Sequence, residues 1–307
     1  MNEIALALGA GGIKGIAHIG VVRVLMQEGF NIRAIAGTSA GGLVGALIAA
    51  GFTPDRIEGL LGSINDPGIF ARNPDDGPSL LGLAGLNQIL INEIQDRVFE
   101  NLHIPFACTS VDINTSQEVI LAQGSLVDAV MATIAVPGIF PPRQIGNFTL
   151  VDGGVLDPVP VSLARWLAPS LPIVAVCLQP PPEKWAHIPH QESLPSIPPI
   201  PRPLLHQFAK MRIGQAIHIF VESFDTSTRM LAELRLQQDR PEVIIRPKVE
   251  KYGILAMANP PELIKLGEDA AREHLPQIRE ALSWSSQLGR IFRRAGPPGK
   301  VLPAVTE

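Results

Sequence analysis

The stretch IRAIAGTSAGGLVGALIAAG (32–51) constrains this chain more than any other. Its first part, 32–37, reads as a short buried strand, and 40–51 reads as a helix that is apolar on every side. A helix of that kind belongs in a protein interior. Only small residues separate the two, so the strand must turn straight into the helix in a space too tight for bulky side chains. The same order occurs upstream. EIALALG (3–9) is an apolar run ending in glycine, and 14–28 follow as a helix with Ile16, Ile19, Val22, Leu25 and Met26 on one face. Strand, helix, strand, helix with short links is the pattern of a parallel sheet covered on both faces, so the fold class is α/β.

The rest of the chain continues that alternation. Thr53 and Pro54 fit the N-cap and first turn of a helix over 54–64. Residues 65–87 are rich in Gly, Pro and apolar side chains and are expected to form a mobile flap with its apolar residues exposed. Helices are predicted over 88–102 and 126–135, and strands over 104–113, 117–122, 148–154 and 172–179. Nine of the 24 residues from 180 to 203 are proline, which predicts an extended excursion. A long helix at about 204–239, a strand at 242–247 and a helix at 260–282 complete one domain, 1–282. The remainder, 283–307, carries Arg290, Arg293, Arg294 and Lys300 among Pro and Gly and is expected to fray as a flexible tail.

Composition narrows the function classes. Apolar residues make up 46% of the 307 residues and charged ones 18%, with a net charge of −4. Phosphate-backbone binding needs concentrated Lys and Arg, so nucleic acid is not an expected partner. Charged residues interrupt every apolar run before it reaches membrane-spanning length. The opening MNEIALALGAGGIKG lacks a basic leader and reads as a first strand rather than a signal peptide. Cys108 and Cys177 both lie in apolar strand-like runs and read as reduced core residues of a cytoplasmic protein. No His, Cys, Asp or Glu cluster has metal-ligand spacing, and no cofactor is expected.

Two glycine-rich turns and one aspartate carry the chemistry. Gly37-Thr38-Ser39-Ala40-Gly41 fits G-x-S-x-G between a strand and a helix, the context in which a serine becomes an exposed nucleophile on a strained turn. Gly37 and Gly41 would let strand and helix cross closely. The alternative is a small-residue turn before a well-packed helix. Gly9 to Gly15 form the second turn, and its spacing fails the dinucleotide pattern: Gly9 and Gly11 place the last position on Lys14, and Gly12 and Gly15 place the first on Ala10. Bare N–H groups aimed at an anion, as in an oxyanion hole, fit it better, with a purely structural turn as the alternative. In LVDGGVLDP (150–158), Asp152 ends a strand and precedes Gly153 and Gly154. An acid there sits at the sheet edge where α/β proteins keep their sites, although on this segment alone a turn-forming aspartate explains it equally well. Of the histidines at 18, 103, 187, 190, 206, 218 and 274, none follows a strand end as a triad histidine usually does.

Four blocks, ALGAGGIKGIAHIGVVRVL, IAGTSAGGLVGAL, AVPGIFPP and LVDGGVLDPVPV, resemble in order and spacing those of patatin-like phospholipases, and the resemblance covers roughly residues 3–282. It implies a three-layer α/β/α fold with a mainly parallel sheet and lipid acyl hydrolysis by a serine–aspartate dyad. By position it implies Ser39 as nucleophile, Asp152 as base, and an oxyanion hole from the amides of Gly11 and Gly12 with Ile13. Gly37, Gly41, Lys14 and Gly153 are the supporting positions. Two residues depart from the family pattern. Ala10 replaces the first glycine of the Gly-rich block, and Lys14 replaces its arginine, keeping the charge and losing the bidentate geometry.

A carboxylate of pKa about 4 is a poor base at neutral pH, so burial must raise that of Asp152. The expected partner is a phospholipid or other acyl-ester lipid. Alternatives on the same scaffold are an acyltransferase, a thioesterase, or a non-catalytic membrane-associated module. Peripheral membrane contact is expected from Ile69, Phe70, Leu80, Leu81, Leu83 and Leu86 of the flap. The four positive charges of RIFRRAGPPGK (290–300) would add salt-sensitive attraction to anionic lipid.

Overall fold

The computed structural model describes residues 2–62, 65–187, 212–257, 259–283, 290 and 295–303. From the N-terminus, β1 (Glu3–Leu8), α1 (Ala17–Gln27), β2 (Asn31–Thr38) and α2 (Ala40–Ala49) form the two expected strand–helix units. α3 (Pro54–Leu61) follows, with the Thr53 side chain accepting from the Arg56 amide as its N-cap. Next come α4 (Ala84–Ile94), β3 (Phe106–Asp112), β4 (Gln117–Leu121), α5 (Leu126–Thr133), β5 (Arg143–Ile145) and β6 (Phe148–Asp152). α6 (Val161–Leu167), β7 (Ile173–Val176), α7 (Arg212–Asp239), β8 (Val243–Ile245), α8 (Pro260–Ala281) and β9 (Lys300–Val301) complete the described elements.

The strands make one sheet in the order β5-β6-β3-β2-β1-β7-β8, with β4 beside β3 and β9 beside β4. The run β3-β2-β1-β7-β8 is parallel throughout. β4 and β6 pair antiparallel with β3, and β5 antiparallel with β6.

Alternation along β1 sorts the two layers. Ile4, Leu6 and Leu8 enter a large core shared with residues of α1, α2, α5 and α8. Ala5 and Ala7 face the other way, into a row of small side chains with Ala34, Ala36, Ala107 and Ala175. Against that shallow face lie Val161, Leu163 and Ala164 of α6 and Ala232 and Leu236 of α7. The result is a three-layer α/β/α arrangement around a mainly parallel sheet.

Several elements differ from their sequence reading. Over 88–102 the helix stops at Ile94, and a separate 3-10 turn covers Phe99–Asn101. Residues 12–16 form a 3-10 turn ahead of α1, whose Val21 and Val24 are as buried as its expected face while Met26 is 47% exposed. The flap does not expose its apolar side chains: Ile69, Leu81, Leu83 and Leu86 are buried in the main core, and Phe70 stacks on Phe140. Nor does the tail simply fray. Arg290 is buried and donates to the Ala281 carbonyl, Lys300 and Val301 pair with β4, and Leu302 joins the core. Arg293 and Arg294 lie outside the described residues, as do 188–211, most of the proline-rich excursion and the start of the long helix. Both cysteines are free and buried.

Candidate active site

The site is set by how three strands share β3. β4 pairs with residues 108–112 along one edge of β3. On the opposite edge β2 pairs in parallel with 106–109, and β6 pairs antiparallel with 110–112. β2 and β6 therefore run head-on along a single edge. They end against consecutive β3 residues, Thr38 opposite Thr109 and Asp152 opposite Ser110.

Ser39, the next residue after β2, lands at that junction. Its backbone sits at φ 55°, ψ −126°, a left-handed conformation that costs a non-glycine residue about 1–3 kcal/mol. The surroundings hold it there. The Ser39 amide donates to Thr133 Oγ1 at 2.9 Å, and that hydroxyl donates to the Thr109 carbonyl at 2.6 Å. Gly41 allows α2 to begin against the end of β1, since a Cβ there would lie 2.1 Å from the Leu8 carbonyl oxygen. At Gly37 a Cβ would meet Gly42 Cα at 2.5 Å.

Across the junction, Ser39 Oγ donates to Asp152 Oδ2 at 2.5 Å. The other carboxylate oxygen of Asp152 accepts from the Gly154 amide at 2.7 Å, and the Asp152 amide donates to the Ala135 carbonyl. Gly153 packs on Thr109, where a side chain would not fit. Burial pushes the Asp152 carboxyl up to about 7, against the lowering by its bonds to Ser39 and Gly154. Of the histidine side chains described, none bonds to Ser39 or Asp152. His18 Nε2 instead donates to the Gly9 carbonyl at 2.8 Å, and burial pushes the ring down to about 4, so it is neutral.

The glycine-rich turn adjoins the serine turn. Gly15 lies against Ala40, with room for no Cβ between them. Gly12, at φ +56°, lines the same cavity as Ser39, and a Cβ on it would fall 2.3 Å from the Ile254 carbonyl oxygen. Among the described residues the Gly11 and Gly12 amides have no hydrogen-bond acceptor. The Ile13 amide, expected beside them as an oxyanion donor, is instead occupied by the Ile254 carbonyl at 3.0 Å. Lys14 does not face the cavity: its buried ammonium lies 3.6 Å from Asp225 and ties the turn to α7.

The cavity above Ser39 encloses about 1360 Å³ of empty space, part of it open to solvent. Its walls come from both sides of the junction: Ile16, Leu43, Phe140 and Leu255 with Phe70, Leu81, Leu83 and Leu86 of the segment expected to be an exposed flap. No charged side chain of a described residue lines it. Among the described residues, no group of three or more His, Cys, Asp or Glu could hold a metal ion.

Sequence reasoning missed Thr133, a single hydroxyl in an apolar helix with no pattern to mark it. Asp157 was also missed. Its carbonyl accepts from Thr38 Oγ1, its amide bonds Gly153, and burial pushes its carboxyl up to about 7, with Glu118 acting in the same direction.

The sequence pattern of the patatin-like phospholipase family matches residues 6–165. An uncharacterized NTE family protein of Mycobacterium tuberculosis is 37% identical over 164 residues, which are 52% of this chain and 45% of that protein. Human patatin-like phospholipase domain-containing protein 6 is 30% identical over 173 residues, 53% of this chain and 12% of that protein. The chain thus spans less than half the length of these curated relatives. Among solved structures, VipD from Legionella pneumophila superposes at a TM-score of 0.48 and 14% identity, covering 91% of this chain and 67% of that one.

Proposed function

The chain belongs to the patatin-like phospholipase family, and on that premise we propose that it hydrolyses carboxylic esters of lipids through a Ser39–Asp152 dyad. The 2.5 Å contact between Ser39 Oγ and Asp152 Oδ2 at the floor of an apolar cavity carries this reading. Asp152 takes the hydroxyl proton as Oγ attacks the ester carbonyl, and the charge that develops on the carbonyl oxygen is met by the Gly11 and Gly12 amides. The neutral carboxylic acid of Asp152 then returns the proton to the departing alcohol. Water, deprotonated by the same carboxylate, frees the acid from the acyl-enzyme.

Each part has a physical reason. A carboxylate with its pKa near neutrality is a far stronger base than an ordinary aspartate, and burial is what provides that. The strained turn projects Oγ clear of the strand, toward the cavity. An apolar chamber without charged walls suits an acyl chain, whose every buried methylene contributes about 0.8 kcal/mol. The test is turnover of p-nitrophenyl esters, lysophospholipids and phospholipids by wild type beside Ser39→Ala, with a fluorophosphonate label mapped by mass spectrometry. Turnover surviving in a folded Ser39→Ala protein, or a label on another residue, would refute the dyad.

A further inference from the structure

No helix among the described residues is long and apolar enough to cross a membrane. A lipid ester held in an aggregate has to be met at the protein's outer face. The expected flap turns its apolar side chains inward, with Phe70, Leu81, Leu83 and Leu86 lining the cavity and Ile69 in the core, and Arg290 is buried. The surface lies on α7. From 215 to 238 every exposed position of that helix is uncharged. Ala216, Ile219, Phe220, Ser223, Ser227, Met230 and Leu234 recur at helical spacing and form one stripe. Ile219 is 64% exposed, Phe220 45%, Met230 49% and Leu234 53%.

The charged side chains of α7 between 215 and 239 are turned away from this stripe. Asp225 pairs with Lys14 and Arg229, Glu233 with Arg246, and Arg235 with Glu118, all buried or half-buried. A water-facing helix normally has the opposite arrangement, with its charges outward and its apolar stripe on the core.

The stripe is continuous with the mouth of the cavity. Phe220 lines the cavity while remaining exposed, and so does Met257 at 57%. We propose that the outer face of α7, together with Met257, rests on a lipid surface and passes acyl chains into the cavity without their crossing water. This rests on the lipid-ester reading of the cavity. A protein partner on the same stripe would cover the mouth that the substrate has to enter, whereas a lipid surface delivers substrate through it. With no charge on the exposed stripe, attachment is by burial of apolar side chains, to zwitterionic as well as anionic lipid, and is insensitive to salt.

The experiment measures binding of the full chain carrying Ser39→Ala to phosphatidylcholine vesicles by flotation, at low and at 0.5 M salt. Adding Ile219→Glu, Met230→Glu and Leu234→Glu together should weaken binding by at least about tenfold, and Leu234→Glu alone by several-fold. With Ser39 intact, the same substitutions should leave p-nitrophenyl acetate hydrolysis unchanged, since none of the three residues lines the cavity. Equal binding by the substituted proteins overturns the proposal. So does binding that requires anionic lipid and disappears in salt, or a dimer in light scattering that the triple substitution dissociates while vesicle binding stays absent. Binding is read without turnover, so wild type inactive on every ester would refute the dyad and leave the docking result standing.

Discussion

Replacing Asp152 with asparagine separates the energetics of the site from its chemistry. The Asp152 carboxyl titrates at about 7 in the folded protein and, like any aspartate, at about 4 in the unfolded chain. Between those two values the native state holds a proton that the unfolded state has released, so stability falls as pH rises through that window and levels off above about 7. Linkage puts the loss between pH 5 and pH 8 at roughly 3 kcal/mol, all of it absent in the Asp152→Asn variant, whose amide does not titrate. Urea unfolding of both proteins across that range tests this. The stability of Asp152→Asn relative to wild type should climb by about that amount as pH is raised. The offset at any single pH also contains the altered bonds to Ser39 and Gly154, so the pH dependence of the difference is the diagnostic quantity. Asp157 titrates equally in both proteins and cancels. Meanwhile kcat/KM of wild type should rise about tenfold per pH unit below 7 and then level, and the variant should lose turnover by orders of magnitude. A stability difference that is flat with pH would refute the buried-carboxylate account.

Three other outcomes follow from particular contacts. Ser39→Gly and Ser39→Ala should both abolish ester turnover and both lose the bond to Asp152, but the glycine variant should be about 1 kcal/mol more stable than the alanine variant in urea melts, because glycine adopts the positive φ without strain; a glycine variant no more stable than alanine would contradict that strain. Thr133→Val leaves the buried Ser39 amide without its acceptor, so kcat should fall about tenfold with KM little changed, and an unaltered kcat would mean the glycines alone hold the turn. Leu81→Trp should fill part of the cavity and lower kcat/KM for long-chain p-nitrophenyl esters far more than for the acetate; parallel losses on both would place the acyl chain elsewhere.

The parts legible in the sequence were those whose signal is local. Ser39 and Gly41 stand between an apolar run broken only by Arg33 and an uninterrupted one, so strand, turn and helix could be placed within a residue or two. Asp152 ends an apolar run before two glycines, and its position at a strand end followed. The segment 65–87 was misread because its apolar residues have neither helical nor strand spacing. Composition shows that Leu81 and Leu83 are apolar but not which side they face, and a cavity wall differs from an exposed flap only in that. β5 and β9, with three and two residues, are too short for alternation to show. Ile13 was lost to Ile254, some 240 residues further along the chain, and no local rule anticipates that partner. The charges of α7 likewise find Lys14, Glu118 and Arg246 only once the chain has folded.

The contact between Ser39 and Asp152 is a consequence of register. Ser39 and Asp152 are 113 residues apart, and neither motif carries information about the other. Their contact follows because β2 and β6 stop at Thr109 and Ser110, neighbouring residues on one strand. A slip of one residue in either pairing would move its end by about 3.3 Å and turn its side chain to the opposite face of the sheet. That would destroy a 2.5 Å hydrogen bond while leaving both motifs intact. The register is fixed on both sides of the junction. Val151 pairs with Val111 and Gly37 with Cys108, while Thr38 Oγ1 contacts Thr109 Oγ1 at 3.0 Å and Ser110 Oγ donates to the Val151 carbonyl at 2.5 Å. A strained serine and a buried carboxylate are both unfavourable conformations, and each persists because the sheet leaves its residue no other place. The rigidity of β3 is therefore the structural condition for the proposed chemistry, and substitutions at Thr109 or Ser110 should disturb Ser39 and Asp152 together rather than singly.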